Sequence, residues 1–140
     1  IEKKLIFTEK LEEIPTKIDL LYCNSSLQYI KNQSDFIKKI LKKKFKYIYI
    51  TRTFFNHNNL KTIITMQESL LSENGPGRVE EKLFKEKIIK YPVFIFSKEK
   101  FENLIKRKYF LISKKKNDND FIIVNGIKYF SFMYFFKSKI

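Results

Sequence analysis

The first pattern along the chain is an apolar run that stops abruptly at small polar residues. Ile18 to Cys23 is almost continuously apolar, which is typical of a strand covered on both faces of a sheet, and Asn24 begins a polar loop. Apolar residues then recur at helical spacing after Ser34, a predicted N-cap. This spacing predicts a helix from about Asp35 to Lys44.

A second strand completes a strand–helix–strand unit. Tyr47 to Thr51 is rich in β-branched and aromatic residues, which favours a strand parallel to the first one. In open α/β sheets, ligands bind at the carboxyl ends of parallel strands, so the loop that begins at Asn24 is expected to face a crevice. A further short strand is predicted earlier, from Lys4 to Thr8. The fold class is therefore α/β.

The middle of the chain is less regular. Leu60 to Gln67 alternates weakly and is interpreted as an extended segment. Gly75-Pro76-Gly77 is a strongly punctuated loop, and an amphipathic pattern from Val79 to Ile88 after it predicts a helix. Residues 68–91 are therefore expected to form an insertion or lid.

The last third of the chain predicts mainly strands. Val93 to Phe96 is a brief apolar run, and Ser97 after it is placed to cap a helix. Tyr109 to Ser113 is predicted to be a strand, and Lys114 to Asp120 a polar turn. Asn125-Gly126 is a hairpin dipeptide between two apolar runs, so the chain is expected to end as antiparallel β structure.

The net charge of +14 over 140 residues raises the alternative of a basic module that binds RNA or another polyanion. Lys38 to Lys46, Arg107 and Lys114 to Lys116 would form its surface. Only three of the 29 basic residues are arginine, the side chain preferred for phosphate and base contacts. The chain also lacks alanine and tryptophan. An AT-rich coding sequence produces this bias, so compositional drift is favoured over a polyanion site.

Cysteine and glycine usage excludes several kinds of site. Cys23 is the single cysteine, which excludes an intramolecular disulfide and a cysteine-based zinc cluster and suits a reducing, cytoplasmic setting. No pattern supports metal binding. Gly75-Pro76-Gly77 is not followed by Gly-Lys-Ser/Thr, so it is not a phosphate-binding loop. The apolar run from Tyr129 to Phe136 is too short to cross a bilayer as a helix.

Four short motifs occur in a characteristic order. They are Ser25-Ser26-Leu27-Gln28-Tyr29-Ile30, Thr51-Arg52-Thr53, Thr65-Met66-Gln67 and Tyr91-Pro92. With the order of the predicted elements, they resemble the second half of a class I S-adenosylmethionine-dependent methyltransferase, and more narrowly a bacterial group of methyltransferases with an SSLQYI-type loop.

The resemblance implies a Rossmann-like methyltransferase sheet of parallel strands with an antiparallel C-terminal edge. It implies S-adenosylmethionine as cofactor and a small-molecule or glycan-linked acceptor. The family's glycine-rich turn and acidic cofactor ligand are expected upstream of Ile1. Residues 1–140 are therefore expected to form a single incomplete domain, the C-terminal portion of a methyltransferase domain, which is inactive alone and self-associates through an exposed sheet edge.

The candidate site residues follow the two parallel strands and the Thr-x-Gln motif. Cofactor binding is assigned to Cys23, Asn24 and Ser25, and acceptor binding to Ser26, Gln28, Tyr29, Arg52 and Gln67. His57, the single histidine, and Tyr29 are the candidate catalytic residues. The alternatives are helix capping for the serines and Asn24, a surface ion pair for Arg52, a solvated loop position for His57 and simple burial for Cys23 and Gln67.

Overall fold

The structure is a computed structural model that describes residues 7–8, 10–58, 61–71 and 87–139. The described residues form six strands, two α-helices and two short 3-10 helices, Leu11–Glu13 before the first strand and Leu27–Tyr29 after it. The strands are β1 (Lys17–Asn24), β2 (Lys44–Asn56), β3 (Ile63–Leu70), β4 (Ile88–Ser97), β5 (Tyr109–Val124) and β6 (Ile127–Ser138), and the helices are α1 (Gln33–Ile40) and α2 (Lys98–Lys106).

All six strands form one mixed sheet around β2. The order is β3-β4-β2-β6-β5, and β1 pairs with β2 in parallel along its whole length, from Lys17 opposite Lys44 to Asn24 opposite Thr51. β6 runs antiparallel to both β2 and β5. The predicted parallel strand–helix–strand unit, the antiparallel C-terminal edge and the α/β class are therefore confirmed.

Both helices pack against the same face of the sheet. Ile37 of α1 and Phe101 of α2 are buried in one cluster with Ile48 of β2 and with Tyr134 and Phe136 of β6. The rings of Tyr134 and Phe136 are parallel within 3°, with their centroids 5.5 Å apart. Large aromatic side chains fill the space between helix and strand here, and their burial is the main stabilising contribution.

The opposite face carries aromatic side chains that no helix of the described chain covers. We call Leu20, Tyr22, Tyr47, Tyr49 and Phe135 the open face, since their strand register places them side by side. Tyr22 stacks on Tyr49, yet Leu20 and Tyr22 remain 48% and 56% exposed. The expectation that β1 is covered on both faces is therefore wrong for the part of the chain that the structure describes.

Helix α1 begins and ends earlier than the sequence predicts. Its N-cap is Asn32 rather than Ser34, because the Asn32 side chain accepts a hydrogen bond from the Asp35 N–H at 3.4 Å. Its end is set by the sheet. The Lys44 N–H donates to the Thr16 carbonyl at 2.8 Å, so the chain must leave the helix after Ile40 to pair with the start of β1.

The predicted polar turn from Lys114 to Asp120 is wrong, because β5 continues through it. Lys114 lies opposite Tyr134 and Lys116 opposite Phe132, and the register shifts between Asn117 and Phe121. The polar side chains are exposed, while the backbone hydrogen-bonds to β6. Pairing with an apolar neighbouring strand has overridden the local turn signal.

Other local predictions are confirmed. The Ser97 side chain accepts the Lys100 N–H at the start of α2, and Asn125 and Gly126 form the hairpin with φ of 50° and 77°. The predicted extended segment is present as β3 from Ile63, while Leu60 lies outside the described residues.

The remaining predictions concern segments that lie largely outside the described residues. Ile88 belongs to β4 and not to a helix. The rest of the predicted helix from Val79, the Gly75-Pro76-Gly77 loop and most of the predicted strand from Lys4 to Thr8 lie outside the described residues. Phe7 and Thr8 adopt no regular structure. No helix in the described ranges is long and apolar enough to cross a membrane.

Candidate functional site

The carboxyl end of β1 lies against β2 at Thr51, whereas β2 itself continues to Asn56. The Thr51-Arg52-Thr53 motif, which was expected to follow its strand, therefore lies within β2. Asn24 lies opposite Thr51, whose hydroxyl donates to the Asn24 side-chain oxygen at 2.9 Å. The Ser25 N–H donates to the Thr51 carbonyl at 3.1 Å. These bonds hold the first motif loop and the Thr-Arg-Thr motif together, as expected for neighbouring parallel strands.

Two residues at this edge have left-handed backbones. Ser25 has a φ of 49° and Arg52 a φ of 50°. At Arg52 the register between β2 and β6 shifts, and the arginine side chain is 65% exposed. Such conformations are costly for residues other than glycine, and they cluster at functional sites. They mark Ser25 and Arg52 as part of a candidate site.

Tyr29 and Gln67 are linked to this edge through Tyr91. The rings of Tyr29 and Tyr91 meet edge to face with centroids 5.5 Å apart, and Gln67 of β3 lies opposite Tyr91 of β4. Burial raises the pKa of Tyr29, as does Tyr91, while the charge of Arg52 opposes the rise. Tyr29 therefore keeps its proton at neutral pH. Sequence reasoning did not single out Tyr91, although its Tyr-Pro motif was a signal.

Gln28 carries an unusual buried group. Its side chain is 2% exposed, and Oε1 has no hydrogen-bond partner among the described residues. A buried amide oxygen without a donor is costly, which suits an incoming hydrogen-bond donor such as an ammonium or hydroxyl group.

Gln33 is a second buried amide, which sequence reasoning missed. Its Nε2 donates to the Leu27 carbonyl at 2.8 Å and to the Phe94 carbonyl at 2.9 Å, and its Oε1 has no partner in the described part of the chain. Gln33 therefore ties the motif loop to β4. The only sequence signal was a long polar residue at the start of an amphipathic helix.

Cys23 and Ser26 contribute differently from the sequence assignment. The Cys23 side chain is buried in the core, and burial raises the pKa of its thiol. Only its backbone is placed to face a ligand. Ser26 is exposed and makes no side-chain capping bond to the 3-10 helix that follows, so capping does not explain this serine.

Arg52 forms an exposed ion pair. Its Nε lies 3.9 Å from Asp120 Oδ2, which also accepts the Ser131 hydroxyl at 2.7 Å. A pair of this length on a largely exposed arginine is weak, so the guanidinium group is available to an anionic ligand.

His57 lies on the other face of the sheet. Its ring centroid is 4.9 Å from that of Phe132, which packs in the core on the helix side of the sheet. The preceding residue of β6, Ser131, points to the opposite face, where its hydroxyl contacts Asp120. Burial lowers the pKa of His57, and Lys98, Lys116 and Lys114 lower it further. The imidazole is neutral at pH 7, but the structure does not bring it together with Arg52.

Comparison with known proteins gives structural likenesses only. No family model and no curated protein matches the chain. The N-terminal domain of EvdMO1 with SAH bound matches with a TM-score of 0.46 and 10% identity, over 91% of this chain and 51% of that one. The same domain in the presence of SAH and D-fucose gives 0.43 and 12%, over 86% and 47%.

A third solved structure is an S-adenosylmethionine-dependent methyltransferase from Clostridium acetobutylicum ATCC 824. It matches with a TM-score of 0.44 and 14% identity, over 86% of this chain and 58% of that one. The chain thus spans about half the length of the structures it matches. All three TM-scores are below 0.5, so the inferences below rest on the residues of this chain.

Proposed function

We propose that the chain is part of an S-adenosylmethionine-dependent methyltransferase domain that transfers a methyl group to a small-molecule or glycan-linked acceptor. The observation that carries this proposal is the edge formed by β1 and β2. There the SSLQYI-type loop and the Thr-Arg-Thr motif, which suggested the family, are hydrogen-bonded to each other through Ser25 and Thr51.

The residues of the loop fit the cofactor. Bound S-adenosylmethionine supplies a methyl group on a sulfonium, which is transferred by in-line displacement, so the protein mainly has to orient the reactants. Gln28, which the sequence assigns to the acceptor, is reassigned here to the cofactor, because its unpartnered Oε1 suits the ammonium of the cofactor's amino-acid portion. Asn24, Ser25 and the Cys23 backbone would hold the same portion. In this proposal the glycine-rich turn and acidic ligand belong upstream of Ile1.

Other side chains of the edge would bind the acceptor. Tyr29, with its raised pKa, donates a hydrogen bond rather than removing a proton. Ser26 and Gln67 add polar contacts, and the exposed Arg52 can hold a carboxylate or phosphate. Residues 68–91 would act as an insertion or lid, with its two ends in β3 and β4. A cytoplasmic setting belongs to the proposal and is supported by the free thiol of Cys23.

Amide chemical shifts of the ¹⁵N-labelled chain, recorded during titration with S-adenosylmethionine, test the proposal. We expect saturable, weak binding with shifts concentrated at residues 23–29 and 52, because the other cofactor contacts are assigned upstream. Adenosine 5′-triphosphate is the control ligand. Absence of shifts at this edge would contradict the proposal.

The same experiment also tests the alternative that the chain is a module that binds RNA or another polyanion. Binding of adenosine 5′-triphosphate or a single-stranded RNA would weaken steeply with added salt, whereas binding of a cationic cofactor would not. If the anionic ligands shift the loop residues and S-adenosylmethionine does not, the binding-module hypothesis replaces the enzyme.

A further inference from the structure

A cavity of about 340 Å³ lies beyond the carboxyl end of β2. This volume is in the range of small-molecule sites in proteins. It opens beside the His57 ring, next to the start of β6 and the middle of β5. Its lining residues are His57, Asn58, Lys116, Lys128, Tyr129 and Phe130.

Two lysines line this cavity, and Lys98 adds a third positive charge near His57. The Lys116 ammonium of β5 lies 3.8 Å from the centre of the Phe130 ring, and the Lys128 ammonium of β6 lies 4.4 Å from that of Phe121. The Lys98 ammonium at the start of α2 lies 5.3 Å from the centre of the Phe132 ring. Positive charge is thus held over aromatic faces instead of extending freely into solvent.

The neighbouring carboxylates leave most of this charge uncompensated. Glu102 is already engaged by Lys106, Lys114 and the Tyr134 hydroxyl. Lys116 pairs with Asp118 at 2.5 Å, a carboxylate that is 72% exposed. Within the described ranges, neither Lys98 nor Lys128 has a carboxylate within 4.0 Å.

The same charges lower the pKa of His57. After burial, the lysines at 98, 116 and 114 are the main causes that lower its pKa, and Glu102 only partly opposes them. An anion bound among these lysines would relieve this repulsion. The imidazole would then become easier to protonate and could donate a hydrogen bond to the anion.

We propose that this cavity binds the phosphate of a small phosphorylated molecule, with Lys116, Lys128 and His57 around the phosphate and the ring of Phe130 against its organic part. The charge of Lys98 near His57 adds to the attraction. The site goes beyond the proposed methyl transfer, because it opens on the α2 side of the sheet, opposite the Arg52–Asp120 pair. The volume of this cavity suits a small ligand, whereas the backbone of an RNA strand tracks along an extended groove.

His57 is the single histidine of the chain, so the proton on its Cε1 gives one assignable NMR signal that reports on the cavity. The probes are inorganic phosphate and adenosine 5′-monophosphate, titrated at constant ionic strength against chloride. We expect a saturable shift of the His57 signal with both probes. We also expect the pH at which His57 titrates to rise when either probe is bound. Absence of a saturable shift would overturn the proposal.

Matched variants separate the cavity from general positive charge. Lys116→Gln with Lys128→Gln should weaken adenosine 5′-monophosphate binding at least about tenfold, since two charge-assisted contacts are lost. Lys39→Gln removes an exposed charge from α1 and should leave binding unchanged. Equal binding by the double variant would refute the assignment.

Two further results discriminate between ligand classes and functions. If oligouridylate binds more tightly than adenosine 5′-monophosphate and displaces it, the ligand is a nucleic acid and the small-molecule assignment is wrong. The titration of S-adenosylmethionine at residues 23–29 is independent of this cavity. Phosphate binding without S-adenosylmethionine binding would therefore reject only the methyltransferase proposal. Binding of S-adenosylmethionine without phosphate binding would reject only the phosphate site.

Discussion

Ser25 and Arg52 each follow a member of the strand pair Asn24–Thr51, and both have left-handed backbones, with φ of 49° and 50°. The carbonyl of Thr51, immediately before Arg52, accepts the Ser25 N–H at 3.1 Å. Neither residue is a glycine. The chain therefore maintains two unfavourable conformations at the edge that we assign to the cofactor and the acceptor.

Replacing Arg52 tests how much backbone strain this edge contains. Arg52→Gly and Arg52→Ala both remove the guanidinium group, but only glycine adopts a positive φ without a steric penalty. We expect the glycine variant to be more stable to urea than the alanine variant by about 1 kcal/mol. Equal stability of the two variants would show that the left-handed conformation at this position costs little.

The two buried glutamines form a matched pair for a second prediction. Gln28→Met removes an amide oxygen that has no partner among the described residues, so the free energy of unfolding should stay the same or rise. Gln33→Met removes donors to two backbone carbonyls and should cost about 1–3 kcal/mol. Urea unfolding measures both.

The Gln28 variant also has a functional outcome. Under our proposal it should abolish the shifts that S-adenosylmethionine causes at residues 23–29 while the protein stays folded. A variant that unfolds more easily than the parent would instead show that Gln28 is a structural residue.

A third prediction concerns acid stability through Glu102. Burial raises the pKa of this carboxyl, but hydrogen bonds from Lys106, Tyr134 and Lys114 outweigh it and bring the pKa to about 2. Since the folded pKa is lower than the ordinary value of 4.5, the ionised group stabilises the fold above pH 4.5. Its contribution, on the order of 2 kcal/mol, is lost as the pH falls from 4.5 towards 2.

The measurement is urea unfolding at a series of pH values. Glu102→Gln should lower stability at pH 7 and flatten the loss of stability between pH 4.5 and 2. Glu99→Gln, an exposed position on the same helix, is the control and should follow the parent. A parallel pH profile for the parent and Glu102→Gln would exclude Glu102 as the source of acid sensitivity.

The open face supports a fourth prediction. Leu20 and Tyr22 are about half exposed on β1, which pairs only with β2 among the described residues. Contiguous exposed apolar groups beside an unpaired strand edge promote association. We expect the chain to self-associate with increasing concentration in sedimentation velocity, and Leu20→Lys with Tyr22→Lys to restore monomers.

The control for this prediction is a second pair of exposed apolar residues. Ile64 and Met66 of β3 are 64% and 59% exposed at the other end of the sheet. Lysine at both positions should leave the association unchanged. If this control also gives monomers, association depends on net charge and not on the open face.

Short-range sequence patterns are sufficient to predict several elements of the fold. The sequence correctly predicts the strand from Ile18, the cap at Ser97 and the turn at Asn125-Gly126, because each depends on residues that are adjacent in sequence. The prediction of a polar turn from Lys114 to Asp120 is wrong, because the strand conformation there depends on pairing with β6, which comes later in the chain. The candidate site shows the same division. Gln28 and Tyr29 could be named from a motif, but the missing partner of the Gln28 oxygen could not.

Sequence patterns alone specify the α/β class, the parallel unit of β1, α1 and β2, and the motif loop after β1. Those features follow from hydrophobic periodicity and turn chemistry, which act over a few residues. Three relationships emerge only in the folded chain: Gln67 lies opposite Tyr91, His57 faces the lysines beside α2, and the open face has no covering helix in the described chain. These depend on pairing and burial between residues far apart in sequence, whose free energy no local pattern specifies.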